Sequence, residues 1–213
     1  MRTMKRRNGG FTLMELMVVL TIAGIIIGFG APSFNRFRLN SRLTNSANDV
    51  LATLSRARTE AIKTQVNVSV CASANPGDPA ATCSNGSNVG WIAFRDIDGN
   101  CTRAAAGEDL VGSGAFDHTF NSQPLTVRVN GTCASFGPNG FTRTVAGVAT
   151  LDHFLICDNR GVVALPEAGG LSAGRGIVID RTGRSRVTRT VTGALADNVI
   201  SWSGMAGVAL TCP

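Results

Sequence analysis

This 213-residue chain has two histidines, no Cys-x-x-Cys pair, and charged side chains at only 16% of its positions. The first two shortages exclude a zinc cluster, which needs sulfur and imidazole ligands at close spacing. Neither a Walker loop nor a His-Glu-x-x-His pair occurs, so nucleotide hydrolysis and metalloprotease chemistry lack their residues. His118 and His153 stand without cysteine or carboxylate partners at ligand spacing and read as structural or exposed side chains. Asp96-Ile97-Asp98-Gly99-Asn100 opens like a calcium loop but lacks the full acidic ladder and terminal glutamate, so it reads as a hydrogen-bonded turn. No cofactor, no metal and no enzymatic activity are expected. The net charge of +6 is also poor in meaning, because Arg2, Lys5, Arg6 and Arg7 supply four of its basic residues. Beyond them sixteen basic side chains face fourteen acidic ones. Any nucleic-acid site must therefore come from local clustering rather than bulk charge.

Long apolar runs are missing too, with one exception. Residues 11–31 carry a single charge, Glu15. A run of that length satisfies its own backbone as a helix and spans about 30 Å of hydrocarbon. A carboxylate inside it costs roughly 2.5–3.5 kcal/mol on insertion scales, so it calls for a partner. An ordinary secretory signal is cut after its apolar core. Here Gly9-Gly10-Phe11 places the plausible cut before the core, which removes the basic flank and leaves the greasy helix on the product. The basic flank marks the cytoplasmic side.

These residues resemble the class III signal peptide of type IV pilins and type II secretion pseudopilins. The resemblance implies that prepilin peptidase cuts between Gly10 and Phe11 and that Phe11 is N-methylated. It also implies that Glu15 neutralises the freed ammonium of Phe11, or that of a neighbouring subunit, during assembly. Pro32 stands where pilins commonly kink or melt this helix. The implied partners are other major and minor pilins. The implied location is the bacterial inner membrane, crossed once with the head in the periplasm, and then the pilus at the cell surface.

After Pro32 a second helical stretch is expected over 33–63, where Leu43, Ala47, Val50, Leu51, Leu54, Ala57, Ala61 and Ile62 recur at spacings of three and four. Beyond it the period falls to two. Strands are expected at 66–70, 91–94, 125–129, 154–157, 161–164, 176–180, 186–191 and 199–201, with no helices between them, which points to an antiparallel sandwich. The fold class is thus α+β: a long N-terminal helix, transmembrane in its first half, and a β-sandwich head. The expected segments are a leader at 1–10, a membrane or filament-core helix at 11–31, its amphipathic continuation at 32–63, and the head at 64–213.

The order Gly90-Trp91-Ile92-Ala93-Phe94, Asp96–Asn100, Phe136-Gly137-Pro138-Asn139-Gly140 and Phe154-Leu155-Ile156-Cys157-Asp158 is similar to the FimT/GspH branch of minor pilins. Six cysteines in an exported chain read as up to three disulfides, and their fifteen connectivities stay open from sequence. Minor pilins of this kind often staple the C-terminus to an interior strand. That similarity favours Cys157–Cys212, beside Cys71–Cys83 across a loop, with Cys101 and Cys133 left over.

Residues 175–189 hold five arginines (Arg175, Arg181, Arg184, Arg186 and Arg189) and one acid, Asp180. Thr182-Gly183 reads as a turn between strands, so Arg184 and Arg186 leave it on one face, about 7 Å apart. That spacing matches successive phosphates of a DNA strand, and guanidinium groups bind phosphate bidentately. Gly183 permits the turn and a close approach by a phosphodiester. No aromatic residue interrupts these arginines, which argues for sequence-independent phosphate contact rather than base stacking. Gly183-Arg184-Ser185-Arg186 resembles the GRxR element by which FimT-type minor pilins bind DNA in natural transformation. The rival reading is a pseudopilin of type II secretion, or a pilin acting only in assembly, whose arginines serve subunit contacts.

Overall fold

The structure, a computed structural model, describes residues 11–84, 90–103, 107–116, 125–160, 164–165, 171–188, 199–200 and 210–211, without the side chains of 29–33 and of the segments 164–165, 171–172, 199–200 and 210–211. Among the described residues one helix, α1 (Leu13–Thr64), precedes thirteen strands. These are β1 (Val68–Ser73), β2 (Gly90–Arg95), β3 (Leu110–Ala115), β4 (Thr126–Val129), β5 (Cys133–Phe136), β6 (Thr142–Arg143), β7 (His153–Cys157), β8 (Ala164–Leu165), β9 (Leu171–Ser172), β10 (Arg175–Ile179), β11 (Ser185–Thr188), β12 (Val199–Ile200) and β13 (Leu210–Thr211). The chain divides into two compact units, Met1–Asn40 and Ser41–Pro213.

In the first unit, Thr12 begins the helix: its Oγ1 accepts the backbone N–H of Glu15 at 3.2 Å. Threonine followed three residues later by glutamate is the capping-box arrangement, so Glu15 sits where a negative charge also suits the helix dipole. Leu13, Met17, Leu20, Ile25 and Ile27 are all exposed. A helix apolar on every side needs an apolar surrounding. Among the described residues no helix is long and apolar enough to cross a membrane; the described side chains of this run stop at Gly28. α1 continues through Pro32, so the helix does not melt there. Proline removes one backbone donor, which bends a helix without having to end it.

In the second unit the stripe of α1 is realised. Leu43, Ala47, Val50, Leu54, Ala57 and Ala61 are buried in one core, whereas Ile62 is exposed. Two antiparallel sheets share that core. One has the order β3-β2-β1-β5-β6, the other β11-β10-β7-β4. Val68, Val70, Trp91, Ala93 and Phe136 come from the first, Val127, Phe154, Ile156, Ile177 and Ile179 from the second. Trp91 reaches the helix, donating from Nε1 to Thr53 Oγ1 at 3.0 Å.

β1 and most of β2 are buried on both faces. The second face is closed by a smaller cluster of Cys71, Ala81, Ile92 and Phe94. Two disulfides staple it, Cys71–Cys83 and Cys101–Cys133. Cys71 and Cys133 are themselves register partners on β1 and β5, so both staples leave one sheet side by side. Cys157 is also disulfide-bonded; Cys212, its expected partner, lies outside the described residues. Expected strand segments at 161–163, 189–191 and 201 lie outside them as well. β1 starts at Val68 rather than 66 because Gln65 turns the chain with a positive φ of 57°.

Arg95 on β2 binds Glu60 on α1 at 2.7 Å, which joins helix to sheet. The hydrogen bond from Arg95 holds the Glu60 carboxyl below the usual glutamate range. A carboxyl with a lowered folded pKa stabilises above its unfolded pKa, and that contribution vanishes as pH falls through the folded value. Thermal melts from neutral to acidic pH should therefore show Glu60→Gln less acid-sensitive than the parent. Parallel acid profiles would refute the role of this pair.

Candidate nucleic-acid interface

β10 and β11 form a hairpin whose register pairs Val187 with Ile177 and Arg186 with Val178. Residues directly opposite share a face. Ile177 belongs to the core, so Arg186 points with Val178 to the outer face. Among the described residues β11 is an edge strand of its sheet. The turn is closed by Asp180 N–H to Arg184 O and Gly183 N–H to Asp180 O, both 2.8 Å. Gly183 has a φ of +74°, the left-handed region that glycine enters without cost. Arg181, Arg184 and Arg186 are all exposed.

Two features of the arginine run differ from expectation. Arg175 is buried and donates to the carbonyls of Ala173 and Gly174 and to Thr44 Oγ1, so it packs the helix instead of facing a ligand. Gly183 is buried, and the space beside its α-carbon is filled from within: a Cβ there would lie 2.0 Å from the Gly140 carbonyl oxygen. The glycine makes room for the protein's own loop and not for a phosphodiester. Arg189 lies outside the described residues.

That loop is the Phe136–Gly140 segment, and its contacts give it a purpose. Gly137 N–H binds Phe141 O at 2.9 Å and Gly140 N–H binds Gly137 O at 2.8 Å. Arg58 of α1 donates from Nε to Gly140 O at 2.9 Å. Thr142 donates both its N–H and its hydroxyl to Arg181 O, each at 3.1 Å. Two segments far apart in sequence thus hold the turn, the loop directly and α1 through the Gly140 carbonyl. Sequence reasoning missed Arg58, a further cation against Gly183, because its position beside the buried helical stripe marks it only as a flanking polar residue. A cleft of about 570 Å³ opens next to the turn, lined by Ser135, Thr142, Arg143, Asp152, Ile179 and Arg181 among others. Asp152, its acid, is occupied by His153 and Asn130. His153 is therefore structural, as expected; His118 lies outside the described residues.

Elsewhere, Asp96, Asp98 and Glu108 bring carboxylate oxygens within 4.8 Å of one another. Asp96 accepts from Ser69 Oγ and from the N–H groups of Asn100 and Cys101, and Glu108 accepts from Ile97 N–H. These bonds hold the segment in a turn. Gly170-Leu171-Ser172-Ala173-Gly174 has Gly-x-Ser-x-Gly spacing. Ser172, however, lies in β9 paired with β8, not on the strand-to-helix elbow a nucleophile needs.

Residues 46–183 match the family described as type II transport protein GspH. Residues 5–31 match the prokaryotic N-terminal methylation motif. A fimbrial protein of Dichelobacter nodosus is 31% identical over 107 residues, 49% of this chain and 63% of that protein, so the match spans less than two thirds of the relative. Crystal structures of the type IV minor pilin FimU of Pseudomonas aeruginosa are similar at a TM-score of 0.42 and 20% identity, over 71% of this chain and 92% of that one. A second crystal form gives 0.38 and 19%, over 68% and 92%.

Proposed function

Because this chain belongs to the GspH family of type II transport proteins, we propose that it serves as a minor type IV pilin whose basic turn binds DNA. The precursor is held in the inner membrane with its head in the periplasm. Prepilin peptidase cuts it between Gly10 and Phe11, Phe11 is methylated, and the mature chain joins other pilins in the pilus. The methylation motif over 5–31 supports this route. Glu15 lies in the first turn of α1, three residues past the helix-capping Thr12, which supports a role in meeting the new ammonium group. In apolar surroundings such a pair sets register, the best-attested use of buried charge.

The observation that carries DNA binding is the exposure of Arg181, Arg184 and Arg186 together on a turn held by α1 and the 137–142 loop. A clamped turn presents its cations with little ordering cost on binding. Guanidinium groups that contact phosphate fix position without reading sequence. Binding by one subunit is weak, and several subunits on a filament raise it through effective concentration. The family's own description favours a second reading, a minor pseudopilin of type II secretion in which the arginines contact neighbouring subunits.

Gel shifts with duplex DNA across a salt series separate the two. The full chain in detergent should bind with a salt dependence that Arg184→Gln with Arg186→Gln reduces by about 1.8 in log–log slope, two phosphates' worth. A double variant that binds as the parent does would rule the DNA site out and leave the secretion reading.

A further inference from the structure

The arginine turn has an aromatic neighbour that the linear sequence conceals. Phe141 is followed by Thr142, which bonds Arg181, and preceded by Gly140, whose carbonyl abuts Gly183. The residue is 49% exposed. Its backbone is fixed on both sides, the N–H to Asn139 Oδ1 at 3.0 Å and the carbonyl to Gly137 N–H at 2.9 Å. An isolated exposed phenylalanine needs no explanation. Here one with a hydrogen-bonded backbone stands one residue from each contact with a turn displaying three exposed arginines, and Arg58 binds the neighbouring Gly140 carbonyl.

We propose that Phe141 is a base-stacking platform, and that the ligand of this surface is single-stranded DNA. The inference rests on the DNA-binding reading above and narrows it. A cationic track with an aromatic face is the composition that non-specific single-strand binders use: arginines follow the phosphates and the ring takes an unstacked base. In a duplex the base faces are covered by their neighbours, so the ring finds no partner there, while the arginines serve both forms. Stacking tolerates every base, which keeps the surface indifferent to sequence. The fixed backbone means that the ring need not be ordered at the moment of binding.

Fluorescence anisotropy on the full chain in detergent tests this with a mixed-sequence oligonucleotide as single strand, as duplex, and as an abasic strand. Phe141→Ala should weaken binding of the single strand about tenfold, leave the duplex unchanged, and bind the abasic strand as the parent does. Phe141→Trp should restore single-strand binding. Unchanged duplex binding doubles as the check that Phe141→Ala is folded. If Phe141→Ala binds the single strand as tightly as the parent, or Phe141→Trp binds the duplex as the parent does but fails to restore single-strand binding, the platform is wrong and the DNA site stands. If the parent binds neither form, or Arg184→Gln with Arg186→Gln changes neither, the DNA site itself is wrong and the platform falls with it.

Discussion

Gly183→Val should lower the stability of the head by about 3 kcal/mol, roughly 10 °C in Tm, and weaken DNA binding with it. Two independent causes add. A β-branched residue at a φ of +74° is strained. The new Cβ also meets the Gly140 carbonyl oxygen at 2.0 Å, a backbone atom that cannot swing aside. Asparagine separates the causes, since it tolerates the left-handed region but still carries a Cβ. Gly183→Asn should therefore remain clearly destabilising. Gly147 has the same φ class, at +76°, and open space around it, so Gly147→Asn should be nearly neutral. Circular-dichroism melts of the four proteins check this. A neutral Gly183→Asn would mean that the turn does not depend on its contact with Gly140.

Cys101→Ser with Cys133→Ser should destabilise the head by about 3–4 kcal/mol on the chain-entropy model, from the 32-residue separation it closes. Cys71→Ser with Cys83→Ser closes only 12 residues and should cost slightly less, about 3 kcal/mol. The larger loss has a local cause as well. Cys101 carries a positive φ of 64°, and its N–H binds the buried carboxylate of Asp96, which also accepts from Ser69. Freeing Cys101 loosens a buried polar side chain from its donors, which adds to the loss of the covalent constraint. Denaturant titrations of both double variants measure the order. The reverse ranking would contradict the role given to the Asp96 network.

The architecture was readable where one periodicity met one surface. The helical stripe from Leu43 to Ala61 repeats at three and four because a single face of α1 is buried. Strands rich in branched and aromatic residues, such as β7 and β10, show themselves for the same reason. β3, with Gly112 and Gly114 in Leu110–Ala115, looks like a turn and is a strand only through its pairing with β2. β6 has two residues and exists as the edge partner of β5. In the candidate site, the turn and Arg184 and Arg186 followed from local spacing. Which arginine is hidden did not, because Arg175 is buried by Thr44, 131 residues away. The loop at Gly140 and the nearness of Phe141 were equally invisible, since a contact between residues 140 and 183 leaves no periodic trace. The Phe136–Gly140 and Gly183–Arg186 words, distant in the chain, are two sides of one joint.

The most direct measurement is uptake of labelled DNA by cells carrying Arg184→Gln with Arg186→Gln, with pili counted in the same cultures. Normal pili and a loss of uptake are the expected result. Normal pili with undiminished uptake would contradict a DNA receptor, and lost pili would assign these arginines to subunit assembly.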